Sequence, residues 1–263
     1  MLGSCCVAPR IHPCGLGSST MRTSVVVSLS ALFLACGGAA TTEVPSGPRV
    51  PDTPTVAVLY FDYEGDDPDL GALRKGLAQM LVTDLSSNEG YRVVERERLE
   101  DVLAELALSR TEAIDPEAAV RIGKLVGADL TVLGSYFEAM GVFRIDTRIV
   151  DTATSVVICG VGETGQREDF LGIESRLADE LTIAVLSDGV DCSSPRPDRP
   201  PPSPVLPKKP IRALPVPTAA TWSRALDAID RDRPEEAKVL LEDVVKAEPA
   251  FSLASDELAR LLK

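Results

Sequence analysis

Residues 129–150, DLTVLGSYFEAMGVFRIDTRIV, decide the fold. The first half is a long apolar run that reads as a strand over 129–140. After Gly141 the period changes, and Phe143, Ile145, Thr147 and Ile149 alternate with Arg144, Asp146 and Arg148. Alternation of period two marks a strand with one wet face, so the two segments are expected to pair antiparallel. The strand before them differs in kind. Residues 55–61, TVAVLYF, form a continuous apolar run of the sort found in strands buried on both faces, which are usually parallel.

Helical spacing fills the intervals. Leu70, Leu73, Leu77, Met80, Leu81 and Leu85 stripe a helix with Pro68 in its first turn. A short strand over 91–95 precedes a second helix carrying Leu99, Val102, Leu103 and Leu106, and Pro116 opens a third with Ala118, Ile122, Leu125 and Val126 facing inward. A strand over 155–161 and a helix with Ile173, Leu177, Leu181, Ala184 and Val185 complete the order β-α-β-α-α-β-β-β-α. This is an α/β fold, a mixed parallel and antiparallel sheet covered by helices, over residues 54–189.

The flanks are of other kinds. Residues 1–36 read as a signal region: Arg22, then the apolar run Val25–Val27, Leu29, Ala31–Leu34, stopping at Cys36, too short for a membrane span. Met21 has better signal geometry than Met1 and is the expected start, which would remove Cys5, Cys6, His12 and Cys14. Phe33-Leu34-Ala35-Cys36 resembles a lipobox, with Phe33 where Leu is usual, so Cys36 is the expected lipid attachment. The same resemblance implies, from Gly37 after it, sorting to the outer membrane, facing the periplasm. Residues 37–53 are a Gly, Thr and Pro-rich tether. In the linker 190–217, positions 195–217 hold ten of the twenty prolines, which keeps the chain extended and is expected to separate two independently moving units. Residues 218–263 form a small all-α hairpin unit with one further helix. Its Ala225, Ala237, Leu241, Val244 and Pro249 fit the spacing of a tetratricopeptide repeat; an unrelated hairpin fits as well. So small a unit needs a partner, self-association or the main domain to be stable.

Charge and chemistry narrow the function. With Arg10 and Arg22 set aside, 25 basic residues stand against 40 acidic ones, a net −15 after Cys36 that disfavours nucleic acid as a partner. Cys159 and Cys192 remain in a compartment that permits disulfides; they could pair or stay free. Gly160–Gly165 spells G-x-G-x-x-G, but the acidic strand end a dinucleotide site needs is missing downstream, so a loop with turn glycines is expected. Asp62, Glu64, Asp66, Asp67 and Asp69 could hold calcium, or form a solvated loop in which Asp67 caps the next helix. No histidine follows His12, and no nucleophile or phosphate-loop motif appears. No catalytic, cofactor or metal residues are assigned, and the expectation is a protein without enzymatic chemistry.

An ordered set of short motifs carries a family resemblance. Val56-Ala57-Val58-Leu59 with Phe61-Asp62, Gly76-Leu77-Ala78, Val94-Glu95-Arg96 leading to Leu99, Gly127-Ala128-Asp129 into Val132-Leu133-Gly134, and Arg148–Thr152 resemble the CsgG family of envelope lipoproteins, named for the curli-secretion protein. The resemblance implies an assembly, scaffolding or regulatory module in an envelope system, with envelope proteins as partners and homo-oligomers common. The alternatives are a curli-type secretion channel component and a carboxylate-based calcium-binding protein or enzyme. The channel inserts a long hairpin where Met140-Gly141 here makes a tight joint, which argues against a pore. Structural roles are expected for Gly134, admitting a helix close to its strand, for Gly127 as a left-handed helix cap, and for Arg96 paired with Glu95. Ser155 stands where the family commonly has Gly.

Overall fold

The computed structural model describes residues 53–106, 116–187, 192 and 214–263. Met21, Cys36, nearly all of the tether and most of the proline-rich segment lie outside them. Of the hydrophobic run at 55–61, Thr55–Val58 forms β1, and a second short strand, β2 (Asp62–Tyr63), follows the run; both are parallel to β4 (Leu130–Ala139). Between them Leu59, Tyr60 and Phe61 are buried but leave the regular ladder, with Leu59 N still donating to the Val132 carbonyl at 2.8 Å. β4 then turns through Met140 and Gly141 into β5 (Val142–Asp151), antiparallel as expected, with β6 (Val157–Gln166) antiparallel beside it. Both turn residues have positive φ, 53° and 76°, the two-residue hairpin turn that matches strand twist. With β3 (Arg92–Val93) parallel to β1, the sheet order is β3-β1-β4-β5-β6, and β2 also lies against β4.

Helices α1 (Pro68–Leu85) and α4 (Phe170–Leu186) cover one face. Their apolar stripes meet Val56, Val132, Tyr136, Phe143 and Ile145, all nearly or fully buried. Each such side chain contributes roughly 1.5–3 kcal/mol on burial. Aromatic rings run in series through this layer: Tyr63 to Tyr136 at 5.3 Å, Tyr136 to Phe143 at 5.7 Å, and Phe143 edge-on to Phe170 at 5.6 Å. Helix α2 (Arg96–Glu105) follows β3, and α3 (Pro116–Val126) packs on the opposite face over Thr131 and Thr152. Gly127, at φ 73°, ends α3 as a left-handed cap.

The C-terminal helices α5 (Val216–Asp230), α6 (Pro234–Ala247) and α7 (Ser252–Leu261) are not an independent body. Helix α5 lies along α1, and residues 45–263 group as one compact unit. Of the three ways the small helical unit could be covered, packing on the main domain is the one this structure uses. The repeat positions Ala225, Ala237, Leu241 and Val244 are buried between helices, as in any tight hairpin. Trp222 is buried as well, edge-on to Phe251 at 5.0 Å.

Three further expectations change. The glycines 160–165 belong to neither a cofactor loop nor a turn, because β6 runs through them to Gln166. Gly134 faces no helix; a side chain there would run into the Asp146 carbonyl on β5 and the Phe61 ring. Arg96 pairs with Asp230 and Glu97 rather than Glu95. The turn before β6 holds Ser155 at φ 63°, with Asp151 accepting hydrogen bonds from Thr154 N and Oγ1 at 2.7 and 2.8 Å.

Candidate functional site

Three clusters of charge could carry function. The first is the acidic loop. Asp62 takes the Arg74 guanidinium of α1 at 2.7 Å, and Arg74 also donates to the Phe61 carbonyl. Asp67 caps α1, accepting from Asp69 N at 2.8 Å and Leu70 N at 3.2 Å, and it binds Arg167 at 2.8 Å. The Arg167 hydrogen bond holds the Asp67 carboxyl below its ordinary value against a small opposing effect of burial. Arg167 also reaches Glu138 at 3.1 Å, and Asp69 holds Arg224 of α5 at 2.8 Å. Asp62, Asp67 and Asp69 therefore each face a different arginine instead of a common centre, with Glu138 sharing Arg167. Among the described residues no group of three or more ligands is placed to hold a metal ion. The loop is a fastening between elements, with the helix cap where the sequence put it.

Beside this loop lies a cleft of about 200 Å³ lined by Tyr60, Asp62, Glu64, Ser135, Asp146 and Arg148. It opens on the sheet face that α3 leaves uncovered. There Arg144 grips Asp146 with two hydrogen bonds of 2.6 Å, the pair lying over Gly162 of β6. Both side chains are 45% exposed.

The third cluster was not anticipated. Lys75 on α1 reaches Glu100 of α2 at 2.9 Å, and Asp227 and Asp230 of α5 at 3.1 and 2.7 Å. Arg96 of α2 binds Asp230 from the other side, and the Tyr60 hydroxyl donates to Glu100 beneath the Lys75 ammonium. Lys75, Arg96 and Glu100 are buried, and the Asp230 side chain is 6% exposed. Burial alone would raise the Asp230 carboxyl; Arg96 and Lys75 outweigh it and hold it below its ordinary value. Burial, then Glu100, push the Tyr60 hydroxyl well up, so it remains a neutral donor. Alongside, the Gly76 amide donates to Ser223 Oγ at 2.9 Å, and a side chain at 76 would press on Ser223 and Trp222. The cluster keys α5 onto α1 and α2. The signal that could have found it is α1 itself, where Ala72, Gly76 and Val82 place small or apolar residues outside the leucine stripe and so ask for cover on a second side.

Cys159 on β6 and Cys192 are disulfide-bonded, with Cα atoms 5.9 Å apart. The bond ties the start of the proline-rich segment to the sheet.

Residues 41–169 match the family model described as "Curli production assembly/transport component CsgG". Among solved structures, similarity is found to lipoprotein GNA1162 from Neisseria meningitidis, 15% identical, covering 50% of this chain and 96% of that one at a TM-score of 0.39. The LpoB C-terminal domain from Salmonella enterica is 16% identical, covering 44% and 85% at 0.36. The PelC dodecamer from Paraburkholderia phytofirmans is 14% identical, covering 52% and 92% at 0.32. A curated protein of Rhizobium meliloti (strain 1021) named "Putative adenylate cyclase 3" is 24% identical over 140 residues, 53% of this chain; the chain spans 22% of that protein's length.

Proposed function

We propose that this chain, whose central domain is of the CsgG type, is an assembly or scaffolding module of the bacterial envelope, lipid-anchored at Cys36 to the outer membrane and facing the periplasm. The observation that carries the reading is the family match over 41–169, next to a sequence in which an apolar leader stops at Cys36. Its work is binding rather than catalysis. Asp62, Asp67, Asp69, Glu100 and Asp230 of the clusters described above are each held by arginine or lysine instead of being poised against a substrate. Its partners are other envelope proteins, and the surface of α6 and α7 turned away from α1 is available to recruit them. The two-residue turn at Met140-Gly141 favours this reading over the curli-type channel, since at that hairpin there is no length of chain to cross a bilayer.

Fractionation with metabolic lipid labelling tests it. The wild-type chain is expected to label and to sediment with outer membranes, and Cys36→Ala to do neither. A wild-type chain that stays unlabelled in the cytosol would remove the anchor and the envelope role together.

A further inference from the structure

The outer side of β6 has no partner strand among the described residues, although β6 is ten residues long. Its first residues are guarded by a bulge opposite Ile149 and Val150 and by Cys192, whose sulfur lies 3.3 Å from the Ile158 carbonyl, but from Gly160 on it carries neither lysine nor proline, which elsewhere keep an edge from pairing. Its glycines divide into two cases. Gly162 is explained within the chain: a Cβ there would meet Asp146 Oδ1 at 2.6 Å, so glycine lets the Arg144–Asp146 pair lie across the strand. Gly160 is exposed and has only the Thr147 carbonyl at 3.8 Å from such a Cβ. Glycine weakens a strand, and one that its own chain does not require marks a place where another backbone can approach.

We propose that the outer edge of β6 receives the β6 of a second copy of this chain, antiparallel, about a two-fold axis at Gly162. Alternate residues of an edge strand turn N–H and C=O groups outward, and an antiparallel copy satisfies them in kind. This register sets Gly160 opposite Thr164 and Val161 opposite Glu163, so no charged side chain faces its like. Glu163, the one charge on the strand, is already held by Arg176 at 3.1 Å. The occupant is a second copy rather than an unrelated extended peptide because the seam is complementary to itself. Each copy brings one Arg144–Asp146 pair to the axis, and across it each guanidinium gains a second carboxylate. The inference needs only the sheet and stands apart from the envelope assignment.

Sedimentation of the full chain over a concentration series tests it, joined to hydrogen exchange of the 157–166 amides. The wild type is expected to pass from monomer to dimer, with these amides exchanging more slowly as the dimer forms. Gly160→Lys adds bulk and charge at the seam, and Arg144→Asp gathers like charges at the axis. Each should raise the dissociation constant at least about tenfold. The swapped double variant Arg144→Asp with Asp146→Arg should recover most of that loss. Should Gly160→Lys fail to fold, the exposed Arg144→Asp and its rescue carry the test. A chain that stays monomeric throughout, or a dimer indifferent to these substitutions, would overturn the proposal.

Discussion

Two ion pairs of nearly equal length sit in opposite surroundings. Lys75–Asp230 at 2.7 Å is enclosed between α1, α2 and α5, whereas Arg144–Asp146 at 2.6 Å lies open on the sheet. Distance alone does not rank them, because water competes for the exposed pair and is excluded from the buried one. The buried cluster adds little as a source of net stability, since removing its charges from water is costly. It is costly to break, however, because any survivor is left enclosed without its counter-charge. Such an arrangement fixes one position of α5 over its alternatives, while the exposed pair leaves its surface adaptable.

The largest effect should come from cutting the buried side of this comparison. Asp230→Ala is expected to lower unfolding stability by roughly 3–5 kcal/mol in urea denaturation, since Arg96 loses its buried counter-charge and Lys75 one of its three carboxylates. A loss under about 1 kcal/mol would mean the cluster is wetter than its geometry implies. Acid should act on the same group. The folded carboxyl of Asp230 lies below its ordinary 3.8, so its contribution is present above that value and is lost as pH falls through the folded one. Asp230→Asn should flatten the acid limb of the stability curve, and an unchanged limb would assign acid sensitivity elsewhere.

Next in size is the disulfide. Cys159 and Cys192 are separated by 33 residues, and loop-closure entropy for such a loop corresponds to about 3–4 kcal/mol. Cys159→Ala with Cys192→Ala should lower stability by that order, read as a lowered denaturation midpoint with a steeper slope, because the denatured chain without its cross-link exposes more surface. Gly127→Ala is a smaller test of local backbone, expected to cost about 1 kcal/mol through the positive φ of the α3 cap. The smallest effect belongs to the exposed pair: Arg144→Ala should leave the melting temperature of the monomer where it was. A clear drop there would erase the contrast between the two pairs.

The sequence made the sheet legible because its strands differ in kind. The change of period at Gly141 announced the antiparallel hairpin, and the uninterrupted run at 55–61 announced the parallel partner, though not its break at 59–61. Asp67 was legible as a helix cap because the cue is local, a carboxylate immediately before Pro68. The α1–α2–α5 cluster was not, because Lys75 and Asp230 are 155 positions apart and each looks like an ordinary surface charge on an amphipathic helix. What the sequence did offer was Gly76 and Val82 off the leucine stripe of α1, a sign that something covers a second side without saying what. The extent of β6 was hidden for the opposite reason: glycine is a poor strand former, and only pairing with β5 draws 160–165 into the ladder.

The staple between Cys159 and Cys192 also sets a load path. Should α5 be pulled free of α1, a load on the C-terminal helices would reach the rest of the body at Cys192, and so at Cys159 within the sheet instead of at the end of α4. Helix ends unravel turn by turn under a pull, but a strand bonded along its length to its neighbour must shear several hydrogen bonds at once. The cross-link thereby makes the sheet, rather than its softest helix, the part that bears mechanical force.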